Sequence, residues 1–263
     1  MSKRGVFKMK IDLEKAQEEF IKYTECYDLS DENLYGKQKH SLRVMQISTK
    51  IAKELKLSQE EIDVATLIGL LHDIARFEQY TKYKTFRDID SIDHGDYGNV
   101  ILEKDIRKYI ETSKYDEIIK KAVKNHNKYK IEEGLSKKEK LFAKIIRDAD
   151  KIDILYESVE MFWKERENIV ENSTITEDVI QQFNECTQIK RRKERRPENS
   201  INEIVSVIAF IFDINFKESF RMIKEENYIN RILNRYDIKD EYTKNAIEKI
   251  KTKANEYIEG KSI

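Results

Sequence analysis

Apolar residues along this chain recur at spacings of three and four, the period of a helix with one buried face. His40, Val44, Ile47, Ile51 and Leu55 form one such stripe, and Ile204, Val207, Ile208 and Ile211 form another. Helix starts read as capping boxes, in which a Ser or Thr precedes a Glu by three positions and each side chain satisfies a backbone N–H of the other. Ser58 with Glu61, Ser136 with Glu139, Thr174 with Glu177 and Ser200 with Glu203 each stand ahead of an apolar-periodic segment. The pattern predicts helices over 10–26, 37–57, 59–77, 94–111, 114–127, 137–163, 175–190, 201–213, 216–235 and 239–258. Gln79 to Asp93 reads as a polar loop, the longest connection in the first half, and long ordered loops are often functional. A charged stretch from Lys164 to Ser173 follows Met161-Phe162-Trp163. It marks the expected boundary between a helical core over 1–164 and a C-terminal helical extension over 165–263.

Composition supports an all-α fold. The 263 residues include 7 glycines and 1 proline. A sandwich or barrel needs many tight turns at positive φ, so this scarcity excludes the all-β classes. Lys plus Arg and Asp plus Glu number 50 each, and the formal net charge is zero. No global field draws the chain to nucleic acid or to an anionic membrane. The dense basic run from Lys190 to Arg196, ended by Pro197, lacks the interleaved aromatics of a single-strand platform and reads as a solvated helix end. Cys26 and Cys186 belong to no metal or redox motif, which fits a reducing compartment. Met1 to Lys10 lacks the apolar core of a signal peptide, and the apolar run Ile204 to Phe212 is too short to span a bilayer. The expectation is a cytoplasmic protein with no membrane or nucleic-acid partner. The sequence contains no P-loop, GxSxG elbow, HExxH, CxxC pair or GxGxxG fingerprint.

The four histidines are His40, His72, His94 and His126, at successive spacings of 32, 22 and 32 residues. His40 lies on the buried stripe of its helix, and His126 continues the stripe of Ile119 and Val123. His72 and Asp73 sit inside Leu67-Ile68-Gly69-Leu70-Leu71-His72-Asp73-Ile74-Ala75, one of the most apolar stretches in the chain. A single histidine so placed is usually a hydrogen-bonded core residue. The set changes that balance, because an aspartate ion inside an apolar helix is costly to bury unless it binds a cation. Neutral imidazoles with carboxylates are the ligand set of Zn, Fe, Mn and similar ions. The inference is a buried His/Asp metal site, which a further carboxylate should complete. Asp148 aligns with Leu141, Ile145, Ile152 and Leu155, whereas Asp150 aligns with Ala143, Ile146 and Ile154. Periodicity does not choose between them.

The series His40, His72-Asp73, His94, His126 and Ala149-Asp150-Lys151 resembles the HD-domain superfamily of metal-dependent phosphohydrolases, an all-helical fold with the signature H…HD…D. The resemblance runs over roughly Gly36 to Tyr156, through "GKQKHSLRV", "ATLIGLLHDIARFEQ", "SIDHGDYGNVIL", "IIKKAVKNHN" and "FAKIIRDADKIDIL". It implies an HD-type helical bundle. It also implies that Asp150, in its Ala-Asp context, is the final ligand, with Asp148 its neighbour. His94 and His126 resemble the additional histidines of the dinuclear subset. That likeness implies one ion on His40, His72, Asp73 and Asp150, and a second on His94 and His126, with Asp73 bridging. The cofactor would be one or two divalent ions among Mn, Fe, Co, Ni and Zn. Two ions bridged about 3.5–4 Å apart hold a hydroxide that is nucleophilic at neutral pH.

Asp73, Asp150 and Arg76 are the candidate catalytic residues. Arg76, one turn after His72, would grip phosphate oxygens together with Lys82, Lys84, Arg87 and Lys151. Tyr80, Tyr83, Phe86 and Tyr97 stack on a base or pack the loop down. Gly95 and Gly98 let the backbone approach the site, and Asp93 caps the helix after it. The implied activity is hydrolysis of a phosphate ester or anhydride of a small, nucleotide-like substrate. Two other readings use the same residues: a diiron oxygenase of the same fold, and a non-catalytic nucleotide-sensing module. The C-terminal extension carries no recognisable site, and covering the core, shaping a pocket or forming a homodimer contact are its open roles.

Overall fold

The computed structural model describes residues 11–160, 164–190 and 200–263. Met161 to Trp163, and the part of the basic run from Arg191 to Arg196, lie outside the described residues. The elements among the described residues are α-helices and short 3-10 turns, with no β-strand, and the fold is all-α. The chain divides into two compact units, 1–146 and 147–263.

The first unit holds α1 (Leu13–Thr24), α2 (Glu32–Glu54), α3 (Gln59–Leu71), α4 (Arg76–Tyr83), α5 (His94–Asp105), α6 (Asp116–Asn125) and the start of α7 (Lys137–Glu160). The capping box of Ser58 and Glu61 forms in both directions at the start of α3. That of Ser136 and Glu139 does the same ahead of α7. α3 is buried along its whole length from Ile62, with α1, α2 and α6 packed against it. Full burial of a Leu or Ile side chain contributes about 1.5–3 kcal/mol. Val64, Leu67, Ile68, Leu70 and Leu71, all essentially inaccessible, make α3 the axis of this unit. A Cβ on Gly69 would lie 2.7 Å from Ser48 Oγ, 2.8 Å from Met45 Cα and 2.9 Å from Val44 O. α3 therefore crosses α2 at a distance that only a residue without a side chain allows at this position.

The periodicity predicts one helix over 59–77, but α3 ends at Leu71 and a turn spans 72–75 before α4 begins. The turn is closed by bonds from Ile74 N to Leu71 O and from Arg76 N to Asp73 O. Tyr23 Oη on α1 donates to Ile74 O at 3.0 Å. Phe77, in the first turn of α4, packs edge-on against Phe20 and Tyr23 of α1. The break is invisible to hydrophobic patterning because residues on both sides of it are buried. α4 takes the first part of the expected polar loop, and ends at Lys84 in the left-handed region with φ 51°. A 3-10 turn, Asp88–Asp90, follows.

The second unit holds the remainder of α7, then α8 (Lys164–Glu171), α9 (Glu177–Asn184), α10 (Ile201–Ile208), α11 (Lys217–Glu225), α12 (Tyr228–Leu233) and α13 (Glu241–Ser262). α13 is its spine, lying against α9, α11 and α12. α8 occupies the charged stretch that the pattern left without a helix. The residue capping α9 is Thr176 rather than Thr174, and Ser200 caps α10 without a side-chain hydrogen bond. The helix predicted over 216–235 is broken at Asn227, at φ 52°. Cys26 and Cys186 are free thiols. No helix among the described residues is long and apolar enough to cross a membrane.

Candidate metal centre

Four imidazoles and one carboxylate converge inside the first unit. His40 comes from the middle of α2, and His94 is the first residue of α5. His72 and His126 are the C-cap residues of α3 and α6. Asp73 lies in the turn between α3 and α4. All five are buried, none more than 3% exposed.

The two C-cap histidines are held alike. His72 Nδ1 donates to Gly69 O at 2.8 Å, and His126 Nδ1 donates to Val123 O at 2.6 Å, each three residues back. The last carbonyls of a helix lack intrahelical partners. The imidazole N–H supplies one, and with the proton on Nδ1 the Nε2 lone pair is left to face inward. His94 has its Nδ1 at 2.7 and 2.8 Å from the two carboxylate oxygens of Asp88, which fixes the same tautomer.

The Nε2 atoms pair up as a result. His40 and His72 approach to 3.2 Å, and His94 and His126 to 2.9 Å. The Asp73 carboxylate lies between the pairs. Its Oδ2 is 3.6 Å from the Nε2 of both His40 and His72, and its Oδ1 is 3.4 Å from the Nε2 of both His94 and His126. Asp73 Oδ1 is buried without a hydrogen bond of ordinary geometry, and buried polar atoms are seldom left so. Inward lone pairs with a carboxylate oxygen facing each pair form a donor set suited to divalent cations. Donor atoms of His72, Asp73 and His126 all lie within 4.8 Å of one another. The residues present fit a metal site, with each oxygen of the carboxylate facing one pair of imidazoles.

Electrostatics keep these groups in their ligand forms. Burial alone would raise the Asp73 carboxyl, but the charges of Lys37 and Arg76 hold it well below the usual carboxylate range. Burial, then the charge of Arg76, pushes His94 down to about 3, against the pull of Asp88, so its imidazole stays neutral. Asp88 is itself held below the ordinary carboxylate range: His94, Arg76 and Gln79 outweigh its burial.

Glycines set how closely the elements carrying these ligands meet. A Cβ on Gly95 would fall 2.8 Å from Lys124 O, and one on Gly98 would fall 2.9 Å from Val123 Cγ1. α5 thus lies close along α6, which brings His94 to His126. Asp93 caps α5 by accepting from Asp96 N at 3.0 Å.

The other candidate residues fall in different settings. Arg76 stands at the edge of the cluster, its Nε 3.4 Å from Asp73 Oδ1 and making no hydrogen bond. Its Nη1 donates to Gln79 Oε1, Phe86 O and Asp88 Oδ1. Lys82 and Lys84 are exposed, over the rings of Tyr83 and Tyr80. Arg87 pairs with Asp90 at 3.1 Å. Tyr80 packs on Phe86 with centroids 4.7 Å apart. In the second unit, Lys151 is buried and pairs with Asp213 at 2.8 Å, and burial lowers its ammonium. Asp148 accepts from Asn215 N, Asn215 Nδ2 and Phe216 N at 2.8–3.1 Å, so both its oxygens are engaged ahead of α11. Asp150 is half-buried on α7, one turn beyond Ile146 and on the same helical face as Ala143.

Three neighbours of the cluster escape a reading of the sequence. Lys37 donates to Asp73 Oδ2 at 3.1 Å, and it stands one turn ahead of His40, which is the signal that could have flagged it. Gln79, fully buried, donates to Asp88, Ser91 and Ile92 and ties the following loop to α4. Asp88 approaches His94 across a loop, and no periodicity marks it.

The comparisons agree with this geometry. The family model described as "HD domain" matches residues 38–155, a segment that includes every ligand candidate. No curated protein and no solved structure matches the chain. HD domains bind divalent metals and are commonly metal-dependent phosphohydrolases. Residues 38–155, which carry the His/Asp cluster, are similar to the HD domain.

Proposed function

We propose that the protein is a metal-dependent phosphohydrolase that cleaves a phosphate ester or anhydride of a nucleotide or related small molecule. The observation that supports it best is the Asp73 carboxylate, each oxygen of which faces a pair of inward imidazoles. In this reading His40, His72, Asp73 and Asp150 hold one divalent ion. His94 and His126 hold a second, which they share with Asp73. Ions so held supply Lewis acidity toward a phosphoryl oxygen and acidify water at neutral pH.

The protein groups then have distinct tasks. The Nδ1 hydrogen bonds of His72, His94 and His126 keep the donor atoms aimed without further reorganisation. Arg76 presents an unused Nε–H beside Asp73, suited to a phosphoryl oxygen that gains charge in the transition state. Lys37, one-fifth exposed, neutralises Asp73 from the more open side. Lys82, Lys84 and Arg87 would receive the distal part of the substrate, and Lys151 would act through its contact with Asp213.

The test combines elemental analysis with phosphate release. Chain purified without chelator should contain bound transition metal. When reloaded with Mn, Co, Ni or Zn, it should release phosphate from at least one member of a panel of nucleoside mono-, di- and triphosphates. Asp73→Asn should lower that rate by about 100-fold or more. Full activity in Asp73→Asn would overturn the proposal. Oxygen uptake by the iron-loaded chain without phosphate release would replace it with the oxygenase reading.

A further inference from the structure

Asp88 lies outside the inward-facing donor set, yet its carboxylate is met by four polar side chains, those of His94, Arg76, Gln79 and Asn127. Its carboxylate receives the Nδ1–H of His94, at 2.7 Å to Oδ2 and 2.8 Å to Oδ1. Three further donors fix it, two from α4 and one from beyond the end of α6. Arg76 Nη1 of α4 is 3.1 Å from Oδ1, Gln79 Nε2 of α4 is 3.0 Å from Oδ1, and Asn127 Nδ2, just beyond α6, is 3.0 Å from Oδ2. The carboxylate cannot rotate away from His94 without breaking several of these bonds. On the far side of the same ring, His94 Nε2 faces Asp73 Oδ1 at 3.4 Å and His126 Nε2 at 2.9 Å. One imidazole thus stands between two carboxylates, with its proton on the Asp88 side and its lone pair on the Asp73 side.

The other inward histidines with an assigned Nδ1 partner use a backbone carbonyl of their own helix, Gly69 O for His72 and Val123 O for His126. His94 has no such recourse. It is the first residue of α5, where the free backbone groups are N–H donors rather than carbonyls. An acceptor must come from elsewhere, and the 3-10 turn Asp88–Asp90 provides it.

We propose that Asp88 is a positioning residue for the His94–His126 half of the site. It holds the His94 proton on Nδ1, turns the Nε2 lone pair toward Asp73 and His126, and makes that half of the site depend on the docking of the loop that carries Asp88. This rests on the reading of His94 and His126 as ligands of a second ion. Because Arg76 and Gln79 grip the same carboxylate, α4 and the loop would set the geometry of this half-site, whereas His40 and His72 would be indifferent to it.

The test uses the full chain stripped of metal and titrated with Co(II) against a competing chelator, alongside long-range nitrogen–proton correlation spectra of the imidazoles. In the wild-type chain His94 should appear as the Nδ1–H tautomer, with two Co(II) ions bound. Asp88→Ala should keep the first ion at its wild-type affinity, weaken the second by about 10–100-fold and give mixed tautomers at His94. Asp88→Glu, which keeps the carboxylate, should recover most of the affinity. Asp90→Asn, on the same turn, should change neither readout. If Asp88→Ala unfolds, Asp88→Asn serves in its place, because it preserves shape, removes the charge and exchanges one acceptor oxygen for an NH2 donor. Two ions at wild-type affinity and an unchanged His94 tautomer in the Ala or Asn variant would overturn the proposal. A wild-type chain that binds a single ion would sink the two-ion reading instead, and the tautomer comparison would then decide the role of Asp88.

Discussion

Replacing Gly69 with alanine adds one methyl group at the crossing of α2 and α3. That methyl would lie 2.7 Å from Ser48 Oγ, 2.8 Å from Met45 Cα and 2.9 Å from Val44 O. Two of these three atoms are backbone, so no side-chain rotation relieves them. Comfortable contact for such pairs is about 3.5 Å or more, so α3 must retreat from α2 by roughly 0.6–0.8 Å. Overpacking of this kind costs about 1–3 kcal/mol, which for a chain of this size is roughly 3–10 °C in Tm. The same displacement acts on the ligands, because His40 is on α2 and His72 caps α3, with Nε2 atoms 3.2 Å apart. Metal–ligand distances tolerate only about 0.2 Å, so the first ion should bind more weakly as well. Gly260→Ala is the matched control. Nothing lies within 4 Å of its Cβ position in α13, so the same methyl should leave Tm unchanged or raise it slightly. Calorimetry with and without Co(II), and elemental analysis of both variants, make the comparison. A Gly69→Ala chain with wild-type Tm and wild-type metal content would refute the claim that this crossing sets the ligand geometry.

Two further substitutions probe the scaffold. Asp148→Ala removes the acceptor of Asn215 N, Asn215 Nδ2 and Phe216 N at a fully buried position, and should cost about 3 kcal/mol in urea unfolding; a loss below about 0.5 kcal/mol would show that these donors find other partners. Glu139 is held down to about 2 by its hydrogen bonds to Lys121 and Ser136, so its stabilising effect is complete above its unfolded value near ~4.3 and is lost as pH falls toward about 2. The stability gap between wild type and Glu139→Gln should therefore close as pH falls from about 5 to about 2, and a gap that widens over this range would contradict the assignment.

The parts of this molecule that are legible in its sequence are those fixed by short-range rules. The burial of His40 follows from Val44 and Ile51 on its stripe, and that of His126 from Ile119 and Val123. The starts of α3 and α7 follow from Ser58–Glu61 and Ser136–Glu139, whose paired bonds depend on three-residue spacing alone. The end of α3 was not legible, because what stops it is a side chain: His72 spends its N–H on Gly69 O, and Tyr23 from α1 covers Ile74 O. Neither interaction leaves a mark in hydrophobic periodicity. Asp148 and Asp150 were equivalent to the pattern, and separating Asp148 required the 213–216 segment, more than sixty residues away, whose amides it accepts. Lys37 and Asp88 were missed for a related reason. A charged residue next to a polar loop usually means solvent, and only the folded chain brings these two against Asp73 and His94.

The bonds from His72 to Gly69 O and from His126 to Val123 O carry a consequence for which residues these positions can accept. Each ring ends a helix with one nitrogen and offers an electron pair with the other, across a rigid five-membered frame. Aspartate, glutamate and cysteinate can each supply an electron pair, but none has a hydrogen to give to the carbonyl. Asparagine and glutamine have the hydrogen, but only a weakly donating amide oxygen for the ion. Among the twenty side chains, imidazole alone is both a good donor to the helix end and a good ligand. At these two positions the chemical alphabet therefore shrinks to a single letter, and a change that keeps the charge or the metal affinity would still leave Gly69 O or Val123 O without its side-chain donor.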